Sequence, residues 1–290
     1  MRKHLNDVLL EARILQARLG AFLTKGQVEA PVFLIGCGRS GKSILGTALR
    51  KHSQICFLDE SRPLWIASFP RTDIWTAQAR KRDGSLYLDE RDAHAEGSLR
   101  LRRLFYREAV KCGRPLVVQA LAANNFRIRF LHRIFPDARF IHVTRNGLHV
   151  SHEIAERAER KGWYGRTGHK WMQLAAFAAS RSQCEAVLPL CESHFERALL
   201  EWRLGMEAVR EGAAMLPFGH MLELRYEELI ARPQTQLHRI AKFIALEDGT
   251  EWATRNASLF DATRALPVHD QRPSDRQLKI GGPDLQAWLP

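Results

Sequence analysis

The sequence predicts a three-layer α/β/α domain, with a central, mostly parallel sheet of about five strands and a phosphate-binding loop after the first strand. Three observations carry this. Short β-rich runs alternate with helical stretches from residue 31 onward. The runs are almost continuously apolar, as strands covered on both faces must be. The first run leads directly into a glycine-rich turn and a helix, an arrangement that aims backbone N–H groups and a helix N-terminus at an anion.

Residues 4 to 24 come first, with Leu5, Val8, Leu9, Ala12, Leu15, Leu19, Phe22 and Leu23 on one helical period. Arg2, Lys3, Arg13, Arg18 and Lys25 lie on or beside the polar face of this amphipathic helix. Its apolar period predicts docking onto its own domain, with peripheral contact to a membrane surface or a partner as the alternative. Strands are expected at "PVFLIG" (31 to 36), "QICFLD" (54 to 59), "PLVVQA" (115 to 120), "ARFIHVT" (138 to 144) and "HMLELRY" (220 to 226), with a helix over 40 to 52. Two long excursions, 61 to 114 and 161 to 217, interrupt the alternation. In an α/β sheet ligands sit beyond the carboxyl ends of the strands, so both insertions are expected to form a lid or acceptor region there. From residue 264 the chain has the Pro and Gly punctuation of a loop.

At 290 residues and 45% hydrophobic the chain suits one large domain, here 1 to 290 with residues 1 to 29 as an N-terminal helical extension. No run approaches the roughly 18 apolar residues of a membrane span, and the N-terminus lacks the apolar block of a secretory signal, which predicts a soluble, cytoplasmic protein. Five cysteines without metal-site or paired spacing predict free thiols and no metal. The net charge of +12 favours an acidic partner. No nucleic-acid signature interleaves aromatics with the basic residues, so a small polyanion is favoured over nucleic acid.

"GCGRSGKS" (36 to 43) fits G-x-x-x-x-G-K-[ST] at every fixed position, so phosphate binding is expected through the backbone of Gly38 and Gly41, the hydroxyls of Ser40 and Ser43, and the cations Arg39 and Lys42. An NTP-hydrolysing site also needs a carboxylate for Mg²⁺ at the end of a strand. Asp59 ends "QICFLD" only one helix after the loop, whereas the later strand "FIHVT" ends in Arg145. That arginine points away from a triphosphate and toward a ligand with a second anionic end.

These residues carry a resemblance. "PVFLIGCGRSGKSILGTALRKHSQICFLDESRPLW" resembles the 5′-phosphosulfate loop, helix and second strand of the sulfotransferase family; "PDARFIHVTRNGLHV" resembles its 3′-phosphate motif; "ELRYEELIARPQTQLHRIAKFIAL" is similar to its late strand-helix unit. The matches run in family order. The resemblance implies the donor 3′-phosphoadenosine-5′-phosphosulfate (PAPS), no metal, and an acceptor hydroxyl on a carbohydrate, glycolipid or other small metabolite. It assigns Arg39 to the sulfuryl and bridging oxygens, Arg145 to the 3′ phosphate, and Glu60 to removal of the acceptor proton. Lys279, in a segment standing for a late glycine-containing loop, becomes a further 3′-phosphate ligand.

The chain departs from the pattern in places. Lys42 stands where relatives usually have Thr. The serine expected eight residues after the arginine is Glu153, with Ser151 two residues early as its substitute. Gln119 and Ala120 stand where relatives often carry an acid and a lysine. Two alternatives therefore remain at this stage: a P-loop kinase or NTPase using Lys42, Ser43 and Asp59 with Mg²⁺, and a non-catalytic phosphonucleotide- or nucleic-acid-binding protein. Trp65, Trp75, Trp163, Trp171 and Trp202 are expected either as apolar or sugar-stacking walls or as core.

Overall fold

The computed structural model describes residues 2–165, 167–260 and 272–288. Five strands, β1 (Val32–Ile35), β2 (Ile55–Asp59), β3 (Leu116–Ala120), β4 (Arg139–Thr144) and β5 (Met221–Arg225), form one sheet in the order β2-β3-β1-β4-β5. All four pairings are parallel, and Leu34 of β1 sits between Ala120 of β3 and Ile141 of β4. Each strand lies within two residues of its expected span. For β1, β3 and β4 the reason is burial on both faces, which leaves continuous apolar runs with abrupt polar ends, whereas in the edge strand β5 only Leu224 is buried.

The helices are α1 (Arg2–Leu23), α2 (Lys42–Arg50), α3 (Arg62–Ser68), α4 (Ala95–Cys112), α5 (Ile128–Ile134), α6 (Gly147–Lys161), α7 (His169–Ala179), α8 (Ser182–Glu185), α9 (His194–Ala213), α10 (Tyr226–Ala231), α11 (Pro233–Phe243), α12 (Gly249–Asn256) and α13 (Asp275–Gln286). Alternation along β1 assigns the layers. Phe33 and Ile35 pack into a core with α3, α4, α5, α6 and α9, where Phe33 meets the rings of Trp65, Phe105, Phe135 and Phe140. Val32 and Leu34 pack on the opposite face with Leu45 and Leu49 of α2 and Leu237 and Ile240 of α11. Local chemistry sets the helix starts. Ser193 and Glu196 form a reciprocal capping box at α9, and Asn146 caps α6 through its side-chain oxygen.

Two expectations are corrected. The tail expected as loop from 264 contains α13, started by a Ser274/Gln277 capping box and anchored by buried Ile280 and Leu285; its Gly-Gly-Pro punctuation kinks the helix at Gly282 (φ 62°) instead of abolishing it. Residues 264 to 271 of that expectation lie outside the described residues. The N-terminal helix does dock on its domain, but not through the apolar period read from the sequence. It docks through Leu10, Ile14, Ala17 and Ala21 against α3 and α4, while Val8, Leu9, Leu15, Leu19, Phe22 and Leu23 face outward.

Of the five tryptophans singled out, Trp65 and Trp202 are core, and Trp171 is partly buried on Tyr164; Trp75 and Trp163 line a cavity. All five cysteines are free.

Candidate active site

The loop between β1 and α2 lies at the centre of the sheet, where the connections switch from the β2-β3 side to the β4-β5 side. Such a switch point leaves a crevice at the carboxyl ends of the strands. Gly36 opens the loop at φ 141°, and a Cβ there would come within 2.3 Å of the Val143 carbonyl oxygen. Its N–H donates to Asn125 Oδ1 at 2.7 Å, fixing the loop to the turn after β3. Arg39 (φ 70°) and Gly41 (φ 96°) take left-handed conformations before α2 begins. For Arg39 this costs roughly 1–2 kcal/mol. Glu60, the other residue assigned to chemistry, also has positive φ, at 44°. Strain of this kind is concentrated at functional sites.

The lysine of the loop is turned onto its own backbone: Lys42 Nζ donates to the carbonyls of Gly36 and, at 2.7 Å, Cys37. Burial lowers its pKa to about 8. Ser40 Oγ is buried without a hydrogen-bond partner among the described residues. Ser43 is exposed on the first turn of α2 and, with Gly38, Arg39, Gly41 and Lys42, lines a cavity of about 520 Å³.

Arg39 and Arg145 face each other across one carboxylate. Glu153 on α6 accepts from Arg39 Nε at 2.9 Å and from Arg145 Nη1 at 2.6 Å, and the same Nη1 donates to the Arg39 carbonyl at 2.9 Å. Arg145 is buried, with its guanidinium 4.6 Å from the Tyr226 ring centre, its carbonyl accepting from Trp202 Nε1, and its Nε without a partner. The departure noticed at residue 153 is therefore the group that occupies both arginines. Ser151 is not brought to this site. It is fully buried, and its Oγ donates to the Gly147 carbonyl one turn back in α6. Lys279 is exposed on α13, which packs against α9 and α6; the structure does not bring it to the cavity lining.

Glu60 and Asp59 line the cavity, but each is held by an arginine from outside the loop: Glu60 by Arg62 at 2.6 Å, and Asp59 by Arg50 at 3.0 Å. Arg62 also lies 4.3 Å over the Trp75 ring. The first insertion supplies Arg62, Trp75 and Leu86 to the cavity, and the second supplies Trp163, Lys170 and Glu201. Ala120 opens onto it where the family resemblance places a lysine.

Sequence reasoning missed the support behind the Trp163 wall. Glu201 is buried and accepts from Trp163 Nε1 at 2.9 Å and from Lys170 Nζ at 2.6 Å, while Lys170 sits 4.3 Å from the Trp163 ring centre. The ring lies so close over Gly38 that any Cβ there would meet it at 2.3 Å. A signal existed, since Glu201 is the one charge inside the apolar run "ALLEW". Cys37, beside this pair, has its thiol pushed up to about 12 by burial and the nearby Glu201, so it stays protonated at neutral pH. Among the described residues no group of three or more His, Cys, Asp or Glu side chains could hold a metal ion.

The sulfotransferase family model matches residues 31–251, more than half of the chain and all five strands. The chain belongs to the sulfotransferase family. The sulfotransferase is thus an enzyme of sulfuryl transfer, and its fold is shared with solved relatives. It is similar to the sulfotransferase domain from the curacin biosynthetic pathway, at 12% identity and TM-score 0.52, over 88% of this chain and 97% of that one. It is also similar to the sulfotransferase domain from the Synechococcus PCC 7002 olefin synthase, at 12% identity and TM-score 0.50, over 92% and 98%. At that identity the likeness is one of fold. A comparison with curated proteins finds no match. No helix among the described residues of the sulfotransferase is long and apolar enough to cross a membrane.

Proposed function

We propose that this sulfotransferase moves a sulfuryl group from PAPS to a hydroxyl of a small-molecule, carbohydrate or glycolipid acceptor held in the cavity between its two insertions. The observation that carries this is the Arg39–Glu153–Arg145 bridge, which joins the phosphate loop to the end of β4 beside the cavity that Arg39 lines. The residues fit such a donor. The unpartnered Ser40 Oγ and Arg145 Nε are buried groups that need an acceptor, and the left-handed loop presents N–H groups at the start of α2.

PAPS supplies the sulfuryl group on a phosphosulfate, and its transfer resembles phosphoryl transfer in having a loose transition state. Positioning and charge stabilisation then fall to the chain. Arg39 donates to the oxygens on which charge develops, in the manner of an oxyanion-hole donor. Lys42, released from the Gly36 and Cys37 carbonyls, adds a cation at the 5′ end. Arg145 takes the 3′ phosphate with its guanidinium fork, which requires Glu153 to yield it. Glu60, at the cavity wall, accepts the acceptor proton once Arg62, which already lies over the Trp75 ring, releases its carboxylate. Trp75 and Trp163 give the acceptor apolar walls.

Thermal shift with adenosine 3′,5′-bisphosphate against ATP with Mg²⁺ tests the reading, because a ligand of the folded state raises stability by RT ln(1 + [L]/Kd). A rise with the bisphosphate alone is expected. Preference for ATP with Mg²⁺ would transfer the site to the kinase or NTPase reading, and a shift with neither would end both.

A further inference from the structure

α1 is apolar on two opposite faces and buries the one with the smaller side chains. Leu10, Ile14, Ala17 and Ala21 meet Ile66, Ala67 and Leu104 in a small satellite core. The outward face carries Val8, Leu9, Leu15, Leu19, Phe22 and Leu23, with Leu15 59% and Phe22 84% exposed. A surface helix ordinarily turns its broader apolar stripe inward, and a continuous exposed stripe of this kind marks an interaction site.

The spacing says what covers it. Val8, Ala12, Leu15, Leu19 and Phe22 alternate four and three residues apart, the a/d seam of a heptad repeat. Leu9, Gln16 and Leu23 then fall at e, and Glu11 and Arg18 at g. Both g residues are exposed beside the stripe, and Arg82 engages Glu11 through Oε1. In a parallel pair g faces e, so Glu11 would meet Gln16 and Arg18 would meet Leu23, with no ion pair. In an antiparallel pair g faces g. Core layers of an antiparallel pair set a against d, so with a two-fold axis between Arg13 and Ile14, Val8 lies against Leu19 of the second copy, Ala12 against its Leu15, and Glu11 beside Arg18 at both ends of the seam.

We propose that α1 is a dimerisation helix, pairing antiparallel with α1 of a second copy of this chain across a two-fold axis between Arg13 and Ile14. A second copy supplies what the stripe lacks, an apolar ridge, and sets Arg18 beside Glu11, of whose two carboxylate oxygens Arg82 engages one. Such a contact is isologous and closes on itself, as a stable homodimer requires. The helix is already ordered by docking, so pairing does not have to nucleate it. The proposal is independent of the donor and acceptor assignments.

Sedimentation velocity on the full chain, from about 1 to about 100 µM, with the variants Leu15→Glu, Arg18→Glu and Glu11→Arg/Arg18→Glu, tests it. Leu15 and Arg18 are exposed and outside the active site, so in those two single variants unfolding midpoint and affinity for adenosine 3′,5′-bisphosphate should stay at wild-type values, whereas the double variant also loses the Glu11–Arg82 ion pair and should unfold somewhat earlier with unchanged affinity. The wild type should be dimeric, Leu15→Glu monomeric, Arg18→Glu at least tenfold weaker in dimerisation, and the charge-swapped double variant restored. A monomeric wild type, or a dimer indifferent to Leu15→Glu, overturns the proposal. Failure of the charge swap to restore pairing overturns the antiparallel register. A monomer that co-sediments with phosphatidylglycerol vesicles, and loses this with Leu15→Glu, overturns it in favour of a lipid surface.

Discussion

Glu153 ties two arginines that the donor is proposed to need, and its carboxylate stands where a phosphate oxygen would serve equally well. Replacing it has opposite effects on the free and bound protein. In Glu153→Ser the buried Arg145 loses its ion-pair partner, which should lower unfolding stability by about 3 kcal/mol in denaturant titration. Adenosine 3′,5′-bisphosphate should bind about tenfold more tightly by calorimetry, with AMP unchanged because it lacks the 3′ phosphate. Arg39→Ala should lower kcat by about 10² or more, as loss of an oxyanion donor does; near-normal turnover ends that assignment. Glu60→Gln should still bind the bisphosphate but fail to transfer; full transfer refutes its role as base. Lys42 gives the pH dependence. Its pKa is lowered to about 8 in the free protein by burial, and an anionic ligand raises it by favouring the ammonium form. The complex therefore holds more protons than the free protein above that pH. Affinity for the bisphosphate should weaken as pH rises through about 8, above the range of about 6 in which its own phosphates titrate; a Lys42→Met variant should remove the loss at about pH 8.

Among the elements, α7 and α9 hold the Trp163 wall of the cavity in place. Lys170 from α7 and Glu201 from α9 form an ion pair with both side chains under a tenth exposed, and the carboxylate also holds Trp163 above Gly38. Glu201→Ala leaves the ammonium buried without its counter-charge, so unfolding stability should fall by about 3–5 kcal/mol, with Trp163 fluorescence shifting toward that of a solvated indole. An unchanged midpoint would show that the pair is not enclosed in solution. The same scale separates what could be read locally. The helix after the loop and the strands are legible because their causes lie within a few residues. The helix α13 was obscured by Gly281, Gly282 and Pro283, whose breaker signal outweighed a capping box and two buried apolar residues. For α1 both faces are apolar, and periodicity ranks the larger side chains first; the docked face was chosen by Ala17 and Ala21, which permit close approach to α3 and α4.

In the whole molecule, the sheet order converts distant stretches of chain into one cleft. β1 stands between β3 and β4, so the loop after β1 meets the turn after β3 through Asn125 and the end of β4 through Arg145. Arg39 and Glu153 are 114 residues apart in sequence and 2.9 Å apart in space. The two layers differ: the face carrying α2, α10, α11 and α12 is a plain apolar core, whereas the other carries both insertions, whose residues line the cavity. The net charge of +12 suits an anionic donor.

Alternation of apolar runs with helices and a glycine turn after the first strand were enough, from the sequence alone, to predict a parallel α/β sheet, and the resemblance of three stretches to sulfotransferases pointed to the activity while a kinase or NTPase stayed open. Those features are local, and their physics acts over one strand or one helical turn. Only the tertiary structure decided which charges meet: Glu60 with Arg62, Asp59 with Arg50, Glu153 with both arginines, and Glu201 with Lys170. An ion pair depends on where side chains end in space, and for groups far apart along the chain that is fixed by strand order and helix packing, which no short stretch of sequence contains.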